Sequence, residues 1–159
     1  MCYYKQRRRF VLISPVYVAN NFIRKGKVED IEITPLKVQK LVYFLYREYL
    51  KETNELLFSE QFEVWSKGPV IPSIYVEFRT YGNKPIKKYA TDSEGVCTIV
   101  AEKDVFKNCI DKVWAFFKDY TGEQLSELTH REGTAWSKAK ATQSRFLDVG
   151  DIKNEQWIT

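Results

Sequence analysis

The chain has 159 residues, of which 44% are hydrophobic and 15% aromatic, and its formal net charge is +4. This length is typical of one domain with a sizeable core, and the aromatic content excludes a disordered chain. No apolar run approaches the roughly 20 residues that a membrane-spanning helix needs, so we expect a cytoplasmic protein without membrane insertion.

The positive excess is concentrated in an N-terminal segment, residues 1–13, which carries Lys5 and the run Arg7 to Arg9. Such a cluster can attract phosphate, but a solvated basic end is the commoner outcome, and a nucleic-acid interface needs a wider basic face. Tyr3 and Tyr4 precede the arginines, and tyrosine and arginine are favoured at protein interfaces. This segment is therefore either a protein-contact surface or a disordered end.

Two helix-start signals occur in the first third of the chain. Ser14-Pro15 and Thr34-Pro35 each place an N-cap residue before a proline at the first helical position. The first predicts a helix that ends near Gly26. The second predicts a helix that runs to about Lys51, and its broad apolar stripe indicates burial on more than one side. We expect this second helix at the centre of the core.

The middle of the chain is less regular. Residues 61–65 fit a short strand or an extended loop, and we expect Trp65 in the core because large aromatics dominate the packing of small domains. Gly68-Pro69 predicts a tight turn, since proline disfavours the helical region for the residue before it. Pro72 predicts a third helix that ends at Gly82.

A β-hairpin is predicted after the third helix. Residues 86–91 and 96–100 flank a loop in which Gly95 can take a positive φ. A fourth helix is predicted over residues 105–117, and Thr121 to Gln124 form a capping box for a fifth. The sequence predicts a mainly α (α+β) protein, a single compact helical domain of about five to six helices with one small β-hairpin.

No recognisable catalytic or metal-binding pattern occurs in the sequence. Its three cysteines, Cys2, Cys97 and Cys109, are widely spaced and form no disulfide framework, which fits a reducing compartment. With the single histidine, His130, they give no zinc spacing. Glycine-rich phosphate loops and a nucleophile elbow are also missing. We therefore expect no catalytic residues, no metal and no cofactor, and a protein that works by binding.

Four segments, in this order, resemble the Panacea antitoxin domain family, and the first, residues 18–23, resembles its opening helix. Residues 34–43 resemble its signature helix, residues 62–75 its second motif, and residues 128–136 its C-terminal motif, although Ala135 stands where the family often has proline. The resemblance implies a Panacea-like domain over residues 14–159. The positions that it marks for fold or function are Pro35, Gln39, Lys40, Tyr43, Trp65, Gly68, Pro69, Tyr75, Thr129, His130 and Trp136.

The resemblance implies an antitoxin of a type II toxin–antitoxin module, often phage- or prophage-borne. Such a protein neutralises a cognate toxin by direct protein–protein binding in a hetero-complex. Toxins of the family include small alarmone-synthetase-like proteins and other translation-targeting proteins. Candidate toxin contacts here are Tyr3, Tyr4, Arg7, Arg8, Lys67 and Ser73.

Two alternatives remain beside direct neutralisation. One is a protease adaptor that delivers a toxin for degradation, as a SocA-like member does. The other is a nucleic-acid-binding repressor that uses the basic N-terminus. Some members of the family carry an added DNA-binding domain, and residues 1–13 leave no room for one, so we expect no nucleic-acid partner.

Overall fold

The computed structural model describes residues 2–5 and 13–156, and for Cys2–Lys5 it describes the backbone. Within these residues the fold is mainly α, as predicted, with seven α-helices where five or six were expected. No helix in the described part is long and apolar enough to cross a membrane. The elements in chain order are β1 (Cys2–Lys5), α1 (Pro15–Glu29), α2 (Pro35–Thr53), β2 (Glu63–Trp65), β3 (Gly68–Val70), α3 (Pro72–Phe78), a 3₁₀ turn (Arg79–Tyr81), β4 (Cys97–Val100), α4 (Asp104–Phe117), α5 (Gly122–His130), α6 (Ala135–Ala141) and α7 (Val149–Asn154).

Helix α2 is the centre of the core. Every residue from Lys37 to Leu50 is buried, and α1, α4, α5 and α7 all contact this helix. The Thr34 side chain accepts a hydrogen bond from the Lys37 N–H and so caps the helix. Burial around the whole circumference confirms that α2 packs on more than one side.

Helix α1 runs past the residue that was predicted to end it. Gly26 lies inside the helix, which ends at Glu29 and is capped by Asp30 with a φ of 55°. A Cβ at position 26 would lie 2.6 Å from Ile33 Cγ1 and 2.7 Å from the Ile31 carbonyl oxygen. Glycine is therefore needed there for close packing of the returning chain, not for a helix stop.

Two asparagines of α1 bind extended backbone with their side-chain amides. Asn21 donates to the Val100 carbonyl at 2.8 Å and accepts from the Val100 N–H at 2.9 Å. Asn20 exchanges the same two bonds with Ala90, at 3.0 and 2.8 Å, and also donates to the Thr98 carbonyl. Because a neighbouring strand would make such paired bonds, α1 satisfies the β4 backbone while β1 pairs with β4 in parallel.

The β-hairpin predicted over residues 86–91 and 96–100 does not form there. Strand β4 pairs along its length with β1, and only one isolated bridge, between Thr91 and Cys97, closes the predicted loop. Gly95 does take a positive φ of 79° in that loop. The turn at Gly95 is therefore as predicted, but the strand that pairs with β4 is β1, near the N-terminus of the chain.

The antiparallel hairpin is formed by β2 and β3. Glu63 pairs with Val70 and Trp65 with Gly68, so the turn lies at Ser66 and Lys67. The prediction of a turn at Gly68-Pro69 is wrong, because both residues belong to β3. Proline is tolerated there because it occupies an edge strand of a two-stranded sheet.

The capping box predicted for α5 is present. The Thr121 side chain accepts from the Gln124 N–H, and the Gln124 side chain accepts from the Thr121 N–H. The expectation for the cysteines, by contrast, is wrong at Cys97, which is disulfide-bonded at a position paired in register with Cys2. Spacing along the chain does not reveal which strands the fold places side by side. Cys109 is a free buried thiol, and burial raises its pKa to about 11.

Candidate functional site

The polar motif residues of α2 bind the backbone of the β2–β3 hairpin and the residue after it. Gln39 donates to the Ile71 carbonyl and accepts from the Ile71 N–H, both at 3.0 Å. The Lys40 amine donates to the Pro69 carbonyl at 2.8 Å. Both side chains therefore satisfy buried main-chain groups and fix the hairpin against α2.

Lys40 is fully buried. Burial, together with the smaller effect of the nearby Lys67 charge, lowers the pKa of its amine to about 7. Near neutral pH a large share of Lys40 is consequently uncharged. A single carbonyl partner is then sufficient for an amine that lies out of contact with water.

Gly68 allows three elements to meet. Its φ is 108°, and a Cβ there would lie 2.4 Å from Thr129 Oγ1 and 3.0 Å from Lys40 Cε. The Thr129 hydroxyl donates to the Ser126 carbonyl at 2.6 Å and is therefore held in place. Any side chain at position 68 would push β3 away from α2 and α5.

Helices α5 and α6 hold the same hairpin from another side. The Trp136 indole N–H donates to the Trp65 carbonyl at 2.9 Å, and the Ser126 hydroxyl donates to the Lys67 carbonyl at 2.5 Å. Together with Lys40, these side chains bind the carbonyls of alternate residues across the turn of the hairpin. The carbonyls of residues 65, 67, 69 and 71 are thus all bound by helix side chains.

His130 lies at the end of α5 and packs on Trp136, with 4.0 Å between ring centroids. Burial lowers the pKa of its imidazole, the charge of Lys40 lowers it further, and a hydrogen bond to the Ser66 backbone acts in the opposite direction. Within the described residues its Nε2 is buried without a hydrogen bond. His130 is therefore a packing and hydrogen-bonding residue behind the hairpin.

Tyr43 belongs to a different cluster, which lies further along α2 towards its C-terminus. Its hydroxyl donates to Glu155 at 2.9 Å, and Arg47 forms an ion pair with the same carboxylate at 2.5 Å. The Ala135 N–H at the start of α6 also donates to Glu155, at 2.8 Å. Burial and the Glu155 charge raise the pKa of Tyr43. Sequence reasoning missed Glu155, because nothing near it in the chain indicates a buried carboxylate.

An apolar cleft of about 300 Å³ opens beside the hairpin. Trp65 and Tyr75 meet edge to face in its wall, with ring centroids 4.8 Å apart. The prediction that Trp65 lies in the core is wrong, since it is half-buried and lines this cleft. The full lining is Pro35, Leu36, Gln39, Trp65, Ser66, Lys67, Val70, Ile74, Tyr75 and Gly82.

The candidate contact residues fall in three places. Lys67 is exposed at the rim of the cleft. Ser73 is half-buried outside the lining, and its N–H donates to Glu60 at 2.9 Å. Tyr3 and Tyr4 belong to β1, whose side chains lie outside the described residues, as Arg7 and Arg8 do entirely.

The cleft offers aromatic faces, an apolar floor and one ammonium group at its rim. Such groups recognise a partner by packing and by charge. In residues 2–5 and 13–156 no group of three or more His, Cys, Asp or Glu side chains could hold a metal ion.

A known protein family matches the part of the chain that contains the hairpin. The family described as "Antitoxin SocA-like, Panacea domain" matches residues 38–137, which include the hairpin, α3 to α5 and the start of α6. The chain belongs to this family. The curated Antitoxin SocA of Caulobacter vibrioides (strain NA1000 / CB15N) is 31% identical over 125 residues, covering 75% of this chain and 66% of that protein, just under two thirds of its length. No solved structure matches the chain.

Proposed function

We propose that this member of the SocA-like, Panacea-domain family is the antitoxin of a type II toxin–antitoxin module, and that it neutralises a toxin protein in the cytoplasm by direct binding. The observation that carries the proposal is the family match over residues 38–137. The 31% identity to a curated antitoxin supports it. The toxin-binding domain comprises residues 14–159, and residues 1–13 precede it as a basic, aromatic N-terminal segment.

The geometry supports binding through the surface beside the hairpin. The motif residues Gln39, Lys40 and Trp136 are occupied with main-chain carbonyls, so they hold the scaffold. The side chains of Trp65 and Tyr75 remain accessible in the cleft. Tryptophan and tyrosine are the residue types most enriched where protein interfaces gain their energy.

Co-expression with the product of the neighbouring gene tests the proposal. Expressed alone, that product should arrest growth and lower amino-acid incorporation into protein. Expressed with this chain, it should become harmless and co-purify as a stable complex. Neither rescue nor co-purification with the wild-type chain would contradict the proposal.

The amount of toxin distinguishes direct neutralisation from the adaptor alternative. Direct binding leaves the toxin at an unchanged or higher level, because the complex protects it. An adaptor would lower the toxin level, and rescue would be lost in a host without the energy-dependent proteases. Quantifying the toxin in both hosts separates the two.

A further inference from the structure

We propose that the cleft receives an aromatic or large aliphatic side chain of the partner protein, flanked by a carboxylate that pairs with Lys67. The apolar side chain packs in the cleft against the Trp65 and Tyr75 rings, and the carboxylate stays at the rim. This inference rests on the proposed function for the identity of the partner. It assigns the contacting surface and the chemistry that the surface selects.

The size and walls of the cleft define the apolar part of the ligand. A volume of about 300 Å³ lies at the lower end of the range for ligand pockets, roughly 300–1,000 Å³, so it suits one or two side chains. Val70 and Ile74 are almost completely buried and form a fixed floor. Tyr75 is 44% exposed at the mouth, where an entering side chain would cover it.

Charge defines the second part of the ligand. The lining residues include Lys67 and no carboxylate. Lys67 is exposed at the rim, and its ammonium group is therefore complementary to an acidic residue. Charge complementarity sets partner choice and association rate.

The cleft wall is rigid before any partner arrives. The carbonyls of Trp65 and Lys67 are held by Trp136 and Ser126. A preformed site loses less conformational freedom on binding than a mobile loop does. The hairpin can consequently bind a short side-chain motif without the large buried area that a mobile surface requires.

The first test measures the affinity of the neighbouring gene product for paired variants. Tyr75→Ser and Lys67→Glu change the cleft. Their matched controls are Val76→Ser, at the next position of α3, which is also exposed, and Lys103→Glu, an exposed lysine outside the lining. We expect Kd to rise at least tenfold for both cleft variants and less than threefold for both controls, with unfolding midpoints reported for all four.

The second test is independent of the toxin. The protein is titrated with acetylated, amidated dipeptides that contain Asp and Phe in either order. It is titrated separately with analogues in which Asn replaces Asp. The readout is the indole N–H resonance of Trp65, and that of Trp114, which does not line the cleft, is the internal reference. We expect the acidic peptides to shift the Trp65 resonance at millimolar concentration and the amide analogues to bind several-fold more weakly.

The outcomes separate the two proposals. If the wild-type chain binds the toxin and the cleft variants bind equally well, the cleft inference is overturned and the proposed function stands. If the wild-type chain binds no toxin, the proposed function fails, and the peptide titration decides the cleft alone. An unshifted Trp65 resonance, or equal shifts with acidic and amide peptides, then overturns the inference.

Discussion

Two positions of α2 bury a basic side chain in different ways. Near its C-terminus, Arg47 forms an ion pair with Glu155, which is 4% exposed. Near its N-terminus, Lys40 donates to a carbonyl and lies near a like charge. The difference follows from the side chains, since a guanidinium cannot give up its proton inside a protein and an amine can.

The two positions also have different structural roles. The Glu155 cluster joins α2 to the residue after α7 and to the first turn of α6, so it stabilises the body of the fold. The Lys40 region positions the β2–β3 hairpin and the cleft beside it. Disturbing the first should cost mainly stability, whereas disturbing the second should also change binding.

The largest expected loss of stability comes from breaking the ion pair between Arg47 and Glu155. Replacing Glu155 by Gln removes the charge from a buried pair, and breaking such a pair costs about 3–5 kcal/mol. Urea unfolding measures the loss. The control is Lys107→Ala, which removes an exposed pair with Asp111 and should cost less than about 1 kcal/mol. Equal losses would show that the Glu155 pair is no more important than a surface pair.

The next largest loss of stability comes from adding a side chain where β3 packs on α2 and α5. Gly68→Ala forces a side chain into a positive φ, which costs on the order of 1–3 kcal/mol, and onto Thr129 at 2.4 Å. We expect a loss of about 3 kcal/mol in the free energy of unfolding. Gly133→Ala is the matched control, because its φ is 85° and no atom lies within 4 Å of the added Cβ. Equal losses would mean that the contact with Thr129 contributes nothing.

A third prediction sharpens the chemical difference between the two positions. The Lys40 amine releases its proton near pH 7 in the folded state, against an ordinary value of 10.5. Between these pH values the unfolded chain binds more protons, so the free energy of unfolding rises with pH.

We expect this contribution to be roughly 2–3 kcal/mol between pH 7 and pH 9, and the isosteric variant Lys40→Met to lack it. The measurement is the difference between the two pH profiles, and Lys103→Met is the control with an exposed lysine. Parallel profiles for the wild type and Lys40→Met would show that Lys40 remains charged when folded.

The smallest effect removes one of the bonds that hold the hairpin. Trp136→Phe keeps most of the ring and deletes the N–H that binds the Trp65 carbonyl. The expected cost is about 1 kcal/mol, measured by thermal unfolding. An unchanged midpoint would show that water replaces this bond without loss.

Local signals in the sequence were sufficient for the helices. Thr34, Pro35 and the apolar stripe after them predicted α2 because a helix start and its spacing are encoded within a few residues. The capping box at Thr121 was predicted for the same reason. The helix stop predicted at Gly26 is the exception, because α1 continues to Glu29.

Long-range contacts were not predictable in this way. Arg47 and Glu155 are 108 positions apart, and no periodic pattern joins them. The predicted position of the hairpin turn was wrong because Gly68-Pro69 is a strong local turn signal. The observed register depends on Lys40, Ser126 and Trp136, which belong to three different helices. The family resemblance marked most of the relevant positions, but only the geometry explains their roles.

The carbonyls of residues 65, 67, 69 and 71 are all held by side chains of the surrounding helices. Main-chain atoms are the same whichever amino acid occupies a position. Exchanging the outward-facing groups at Ser66 and Lys67 therefore leaves the framework intact. A hairpin fastened in this manner lets new specificities evolve, or be selected from a library, with little penalty in folding.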